Sequence, residues 1–240
     1  PIDPGAEPAD PGADTGPIDP GAEPEDHEAD TGPDDPGVDA GPPPSRWITL
    51  AGVTNTRDLG GWPVEGGGKI RWRVLARSGE LSGIGEAGCA TFQEMGLATV
   101  IDLRDGSDLN RADAQCVLDQ VRYEAASMPK LLPPSADTYT QTLDQSGDSI
   151  LRIFSLLAEP DALPALFHCV IGRDRVNVVT ALIMLALGAS RDTVLAEYAL
   201  SNDIGMNVQD IWIEAVLDQV SNSGGIDAYL GSLGVTAGQL

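Results

Sequence analysis

The sequence predicts an α/β layered fold, and three observations lead there. From residue 46 onward, short apolar strand-like runs alternate with helical segments. One of those runs, Pro164–His168, passes through a short loop straight into Arg175–Leu187, a nearly all-round apolar stretch. That is the pattern of a buried central helix. The first 45 residues hold almost no large apolar side chain and so stand outside any core.

Taken in order, residues 1–16 read PIDPGAEPADPGADTG and recur at 17–32 as PIDPGAEPEDHEADTG, with a shortened third copy at 33–44. A 16-residue period would suit a solenoid only if it brought a core, and Ile2, Ile18 and Val38 are the only large aliphatics here. Residues 1–45 therefore read as a disordered, extended, acidic Pro/Gly-rich linker, with His27 a solvated side chain. Residues 46–240 are the folded domain. In it, Trp62-Pro63-Val64 and Ile70–Leu75 flank Glu65-Gly66-Gly67-Gly68, a hairpin signal. Residues 84–95 read as a helix stopped by Gly96, Ala98–Leu103 as a buried strand, and Ser107–Leu118 as a polar helix. Tyr123–Ser127 suits a short strand, 129–134 a Pro-rich loop, and Ile150–Leu157 a helix. Gly188 stops the central helix, Ser190 is placed to cap a helix over 190–201, and Asp210–Val220 and Thr236–Leu240 close the chain.

Charge narrows the partners. Of 37 acids, 13 fall in residues 1–44 beside no Lys or Arg, leaving 24 acids against 14 bases for the rest. Both parts are acidic, so nucleic acid is not an expected partner. No run of 18 apolar residues exists, so no membrane span is expected. An acidic Pro/Gly-rich linker on a chain that starts at Pro1 leads to the expectation of an exported bacterial protein, periplasmic, secreted or lipid-anchored, with a flexible cytoplasmic tail as the alternative. Three cysteines argue against a disulfide framework. A Cys89–Cys116 bridge and two reduced thiols both stay open, and no zinc pattern is present.

The chemistry concentrates in His168-Cys169-Val170-Ile171-Gly172-Arg173-Asp174-Arg175. A loop between a strand and a helix N-terminus turns backbone N–H groups toward an anion. A thiol there is a nucleophile, and Arg175 closes the ring with a planar fork for phosphate oxygens. A bare Cys-x5-Arg spacing is weak alone. Here His168, Gly172, the strand-loop-helix context and Asp174 beside Arg175 strengthen it.

HCVIGRDR resembles the HCxxGKDRTG signature of cysteine-dependent phosphatases, in particular the bacterial atypical tyrosine/serine branch. Asn55–Gly61 (NTRDLGG), Arg77–Leu81 (RSGEL), Val100–Arg104 (VIDLR), Glu197–Asn202 (EYALSN) and Ile226–Leu230 (IDAYL) resemble that branch's other markers, in order from about residue 47 to the end. The resemblance implies a cysteine-phosphatase-like three-layer fold with a central, mostly parallel sheet flanked by helices. It implies hydrolysis of phosphotyrosine, and of phosphoserine/threonine or phosphoinositides, through a phosphocysteine on Cys169, with no cofactor or metal. Arg175 and the N–H groups of the loop, Val170, Ile171, Gly172 and Arg173 among them, would hold the phosphate. Asp174 would be the general acid and Asp102 the alternative. Asp102 also suits a structural partner of Arg57 or Arg104, and Arg57 with Asp58 a structural ion pair. His168 would support the loop, and Arg173, where the family has Lys, would aid binding of phosphorylated proteins, small phosphomonoesters or phosphoinositides.

Val176-Asn177 departs from the family's Thr-Gly. Val cannot supply the hydroxyl that serves the thiolate or the second step, and Asn177 adds bulk with a polar group that would stand in for it. Two readings follow: slower phosphocysteine hydrolysis, or a pseudophosphatase that binds phosphorylated partners without turnover. A rhodanese-type sulfur transferase also uses a loop cysteine, but Arg175 and Asp174 suit phosphate better than a persulfide.

Overall fold

The computed structural model describes residues 45–106, 108, 113–130 and 132–239. The linker expected over 1–45 lies outside the described residues, Ser45 excepted. Five strands form one sheet: β1 (Arg57–Asp58), β2 (Leu75–Ser78), β3 (Thr99–Asp102), β4 (Arg122–Ala125) and β5 (Ala165–His168). Their order is β1-β2-β5-β3-β4, antiparallel only between β1 and β2. This is the mostly parallel sheet anticipated.

The strands obey a period of two. Ala76, Val100 and Leu166 face one cluster with Phe92 of α1 (Glu86–Glu94) and Val117 of α2 (Gln115–Leu118). Leu75, Ile101, Ala165 and Phe167 face the larger cluster, built on α3 (Ala136–Gln145), α4 (Gly147–Leu157), α5 (Asp174–Ala186), α6 (Arg191–Ala199), α7 (Asp210–Asn222) and α8 (Ile226–Ser232). Helix α5 is buried from Arg175 to Met184, which explains its all-round apolar sequence. Ser190 caps α6 by accepting from the Thr193 N–H at 3.2 Å. Among the described residues no helix is long and apolar enough to cross a membrane.

Four details refine the sequence reading. The Gly-rich hairpin forms but is short, with Pro63 opposite Lys69, and the second arm joins the sheet only from Leu75. Backbone bonds do join the arms on either side of that bridge, Ile70 N–H to the Trp62 carbonyl (2.9 Å) and Val64 N–H to the Gly68 carbonyl (3.0 Å), and Arg73 at φ 60° turns the second arm away before Leu75. The helix expected over 107–118 is described only as α2; residues 107 and 109–112 lie outside the described set. Helix α3 was not foreseen. It starts in a capping box in which Ser135 Oγ accepts from the Thr138 N–H (3.1 Å) and Thr138 Oγ1 from the Ser135 N–H (2.8 Å). Of the two states left open for Cys89 and Cys116, the structure holds the disulfide, joining α1 to α2.

The register matters most for the site. Ser78, His168 and Asp102 are level across β2, β5 and β3. The loop after the central strand β5 therefore emerges between the segments that follow β2 and β3, at the carboxyl ends of the parallel strands.

Candidate active site

Cys169 follows β5 directly and is buried and free of disulfide bonding. The loop turns at Gly172, whose φ is +67°. A Cβ there would lie 2.6–2.8 Å from backbone atoms of Ser78 and Gly79, so glycine is required on both counts. Neighbouring segments pull the loop's carbonyls outward. Val170 C=O accepts from the Glu80 N–H at 2.9 Å. Gly172 C=O accepts from Asn55 Nδ2 at 2.5 Å and from an Arg77 terminal nitrogen at 2.6 Å. The N–H groups of residues 170–173 have no protein acceptor among the described residues. Four successive free donors before a helix N-terminus make an anion cradle.

Beneath the loop lies a wholly buried charge cluster. Glu197 on α6 accepts from Arg57 Nε at 2.6 Å and from Trp62 Nε1 at 3.1 Å, and lies 3.5 Å from Arg77. Burial, with Arg57 beside it, pushes Arg77 down to about 9. Arg77 also donates to Asn177 Oδ1 and to Thr180 Oγ1 (3.3 Å). Asn55, at φ 54°, accepts from Arg57 and donates to Gly172. Asn tolerates that left-handed backbone better than most residues. Arg57 and Asp58 are thus not a pair, because adjacent strand residues point to opposite faces. Asp58 instead accepts from the N–H groups of Gly60 (2.6 Å) and Arg73 (2.8 Å), while burial raises its carboxyl.

A cavity of about 200 Å³ opens above Cys169. Val170, Ile171, Arg173, Asp174 and Arg175 line it with Lys130, Leu132 and Tyr139. One terminal nitrogen of Arg175 is anchored by Asp108 Oδ2 at 2.6 Å and by the Leu103 and Met128 carbonyls, each at 3.4 Å. Lys130 holds the other Asp108 oxygen at 3.2 Å. Asp174, the first residue of α5, accepts from Tyr139 Oη at 2.9 Å and from Arg173 Nε at 2.9 Å. Burial raises the Tyr139 hydroxyl, and Asp174 adds to the effect, so the phenol stays a donor. Arg173 is shared between Asp174 and the Met206 carbonyl.

Asp102 stands apart from this cavity. It accepts from Arg104 Nε (3.0 and 3.1 Å) and from Tyr123 Oη (2.6 Å). Burial works against its charge, but Arg104, His168 and Tyr123 outweigh that and hold the carboxyl below its usual value. Its structural partner is Arg104, with Arg57 across the sheet on Glu197. His168 is fully buried, with Nδ1 3.2 Å from the Cys169 carbonyl and Nε2 3.4 Å from Asp113. Ligand atoms of Asp102, Asp113 and His168 lie within 4.8 Å of one another, a spacing a metal could use. Arg104 already occupies that position, 2.9 Å from Asp102 and 2.7 Å from Asp113.

The two departures after Arg175 leave the cavity. Val176 is fully buried in the core. Asn177 faces Arg77, so its amide does not stand in for the absent hydroxyl. Tyr139, Asp108 and Lys130 are functional neighbours that the sequence reading did not single out. Glu197, Asn55 and Arg77 were visible only as members of motifs.

Residues 48–240 match the model of the tyrosine phosphatase family. The triple specificity protein phosphatase PtpB of Mycobacterium tuberculosis is 28% identical over 195 residues, covering 64% of this chain and 68% of PtpB. H16_A0669 of Cupriavidus necator, which carries a provisional tyrosine-protein phosphatase name, is 30% identical over 168 residues, covering 62% of this chain and 61% of its own length. Among solved structures, Pseudomonas aeruginosa TpbA is 19% identical with a TM-score of 0.43, covering 68% of this chain and 88% of that one. A likeness that distant says nothing about the site.

Proposed function

The chain belongs to the tyrosine phosphatase family, and we propose that it hydrolyses phosphomonoesters in two steps at the Cys169 loop. Thiolate attack on phosphorus forms the S–P bond as the ester P–O bond breaks, and Asp174 protonates the leaving oxygen. Water then attacks the phosphocysteine, Asp174 takes its proton, and phosphate leaves with Cys169 restored. Through both steps the equatorial oxygens carry the charge that must be met. The free N–H groups of 170–173 and the unanchored edge of Arg175 meet it without moving.

The observation that carries this reading is the loop's polarity: its carbonyls are held by Glu80, Asn55 and Arg77, and its N–H groups are left free above a buried thiol. Asp174 is the better acid of the two candidates because it lines the cavity above Cys169, and Asp102 does not. Ile171 and Leu132, 41% and 60% exposed on the cavity rim, favour an aromatic or otherwise apolar ester such as phosphotyrosine. Phosphoserine/threonine and phosphoinositides belong to the wider substrate range we assign. Hydrolysis of p-nitrophenyl phosphate tests the mechanism. Cys169→Ser should lose at least 10³-fold in kcat/KM, and equal rates for the two proteins would end the proposal.

The pseudophosphatase reading keeps one observation, the apolar, fully buried Val176 where the family has Thr. Brisk wild-type turnover removes it. For location, we propose an exported protein, on the support of the Cys89–Cys116 disulfide, since such bonds persist in oxidising compartments. Thiol counting on protein purified from its native host without reductant tests this. Three free thiols would overturn it.

A further inference from the structure

We propose that a second cleft, at the end of the sheet opposite Cys169, binds a free long-chain carboxylate, with its alkyl chain in the cleft and its head group at Lys69, Arg71 and Arg73. The cleft lies beside Leu75 and Pro164, next to the starts of β2 and β5, whereas the Cys169 loop leaves the other end of β5. Its volume is about 690 Å³, within the range of small-molecule sites. Phe154, Leu157 and Ile183 form its apolar wall, and Leu163 and Leu187 form lips that are 39% and 45% exposed.

Charge identifies the head group. All three cations line the cleft and are exposed, and no Asp or Glu lines it. Elsewhere in this acidic chain the described bases are committed. Nine of them hold carboxylates within 4.0 Å, and Arg46 stacks on Trp62 and Trp72 while donating to the carbonyls of Asp58 and Gly60. Lys69, Arg71 and Arg73 alone among the described cations have neither an ion pair nor such stacking. Three cations with no ion-pair partner within 4.0 Å among the described residues, beside an apolar trough, complement an anion with a tail. Each methylene that the trough covers fully tightens binding about four-fold.

The test uses the full chain, with tryptophan fluorescence (Trp72 lines the cleft) and titration calorimetry reading the binding of palmitate below its micelle concentration. We expect one palmitate per chain with a micromolar Kd, no binding of hexanoate, and binding at least ten-fold weaker for a hexadecyl trimethylammonium cation. Lys69→Gln/Arg71→Gln/Arg73→Gln should weaken palmitate at least ten-fold and leave p-nitrophenyl phosphate hydrolysis unchanged. These side chains are exposed, and circular dichroism checks the fold. Ala186→Trp, which fills the trough, should block binding as a second variant. Cys169→Ser should bind palmitate normally whether or not the phosphatase reading holds. Undiminished binding in both cleft variants, equal affinity for the cationic amphiphile, loss of binding in Cys169→Ser, or attachment only to phosphatidylglycerol vesicles would each overturn the proposal.

Discussion

Asp108 and Arg175 form a buried ion pair at 2.6 Å that takes one edge of the guanidinium and leaves Nε and the second terminal nitrogen without a protein acceptor among the described residues. Such a pair fixes a planar fork in advance of its substrate. Asp108→Asn keeps the shape but weakens the anchor. It should lower kcat/KM for p-nitrophenyl phosphate about 10- to 100-fold, the effect of about 1.5–3 kcal/mol, and weaken competitive inhibition by inorganic phosphate in parallel. An unchanged inhibition constant would show that Asp108 does not position the fork.

Asn177 and Val176 should behave differently when changed toward the family's residues. Asn177→Gly removes the acceptor facing the buried Arg77, and should destabilise by about 1–3 kcal/mol in urea unfolding. Val176→Thr puts its hydroxyl at a fully buried core position outside the cavity, and should leave the rate of phosphocysteine breakdown within about two-fold, seen as an unchanged burst before steady state. A double change that gains activity with no loss of stability would contradict the role given to Asn177.

Acid should unfold the protein partly through Asp102 and Asp113. Burial opposes both charges, yet Arg104, His168 and Tyr123 hold both carboxyls below their ordinary 3.8. The folded protein therefore binds fewer protons here than the unfolded chain. Stability from this cluster is complete above pH ~4 and is lost as pH falls through the folded values. Urea midpoints at pH 7, 4 and 3 should fall steeply for the wild type and more gently for Asp102→Asn.

Reducing Cys89–Cys116 should cost stability but not chemistry. The bridge closes a separation of 27 residues, for which loop entropy gives about 3.5 kcal/mol. Cys89→Ser should lower the Tm and leave kcat within two-fold, since neither α1 nor α2 lines the Cys169 cavity. A matching loss of kcat would tie the two regions together.

The nucleophile, its loop and the central helix were legible because they are contiguous: Cys169, Gly172, Asp174 and Arg175 fall within seven positions and a nearly all-round apolar run follows. The support was not. Arg57 meets Glu197 across 140 residues and Arg77 meets Asn177 across 100, and no local pattern joins them. Asp108 reads as one more acid in a polar, helix-like stretch. Helix α3 buries only Tyr139, Thr142 and Leu143, too thin a stripe to stand out from its polar neighbours. The adjacency of Arg57 and Asp58 misled for the opposite reason, since neighbours in a strand are separated by the sheet itself.

The sheet order has one further consequence. Because β5 is the middle strand, with two strands on either side, the nucleophile sits as far as this sheet allows from both of its margins. Strand β4 at one margin has no fully buried residue. Tyr123 excepted, whose hydroxyl reaches Asp102 and Asp113, changes on this strand stay at the margin and do not touch the Cys169 loop. The architecture thus divides the chain into a margin open to evolutionary change and a centre where each residue answers to several others at once.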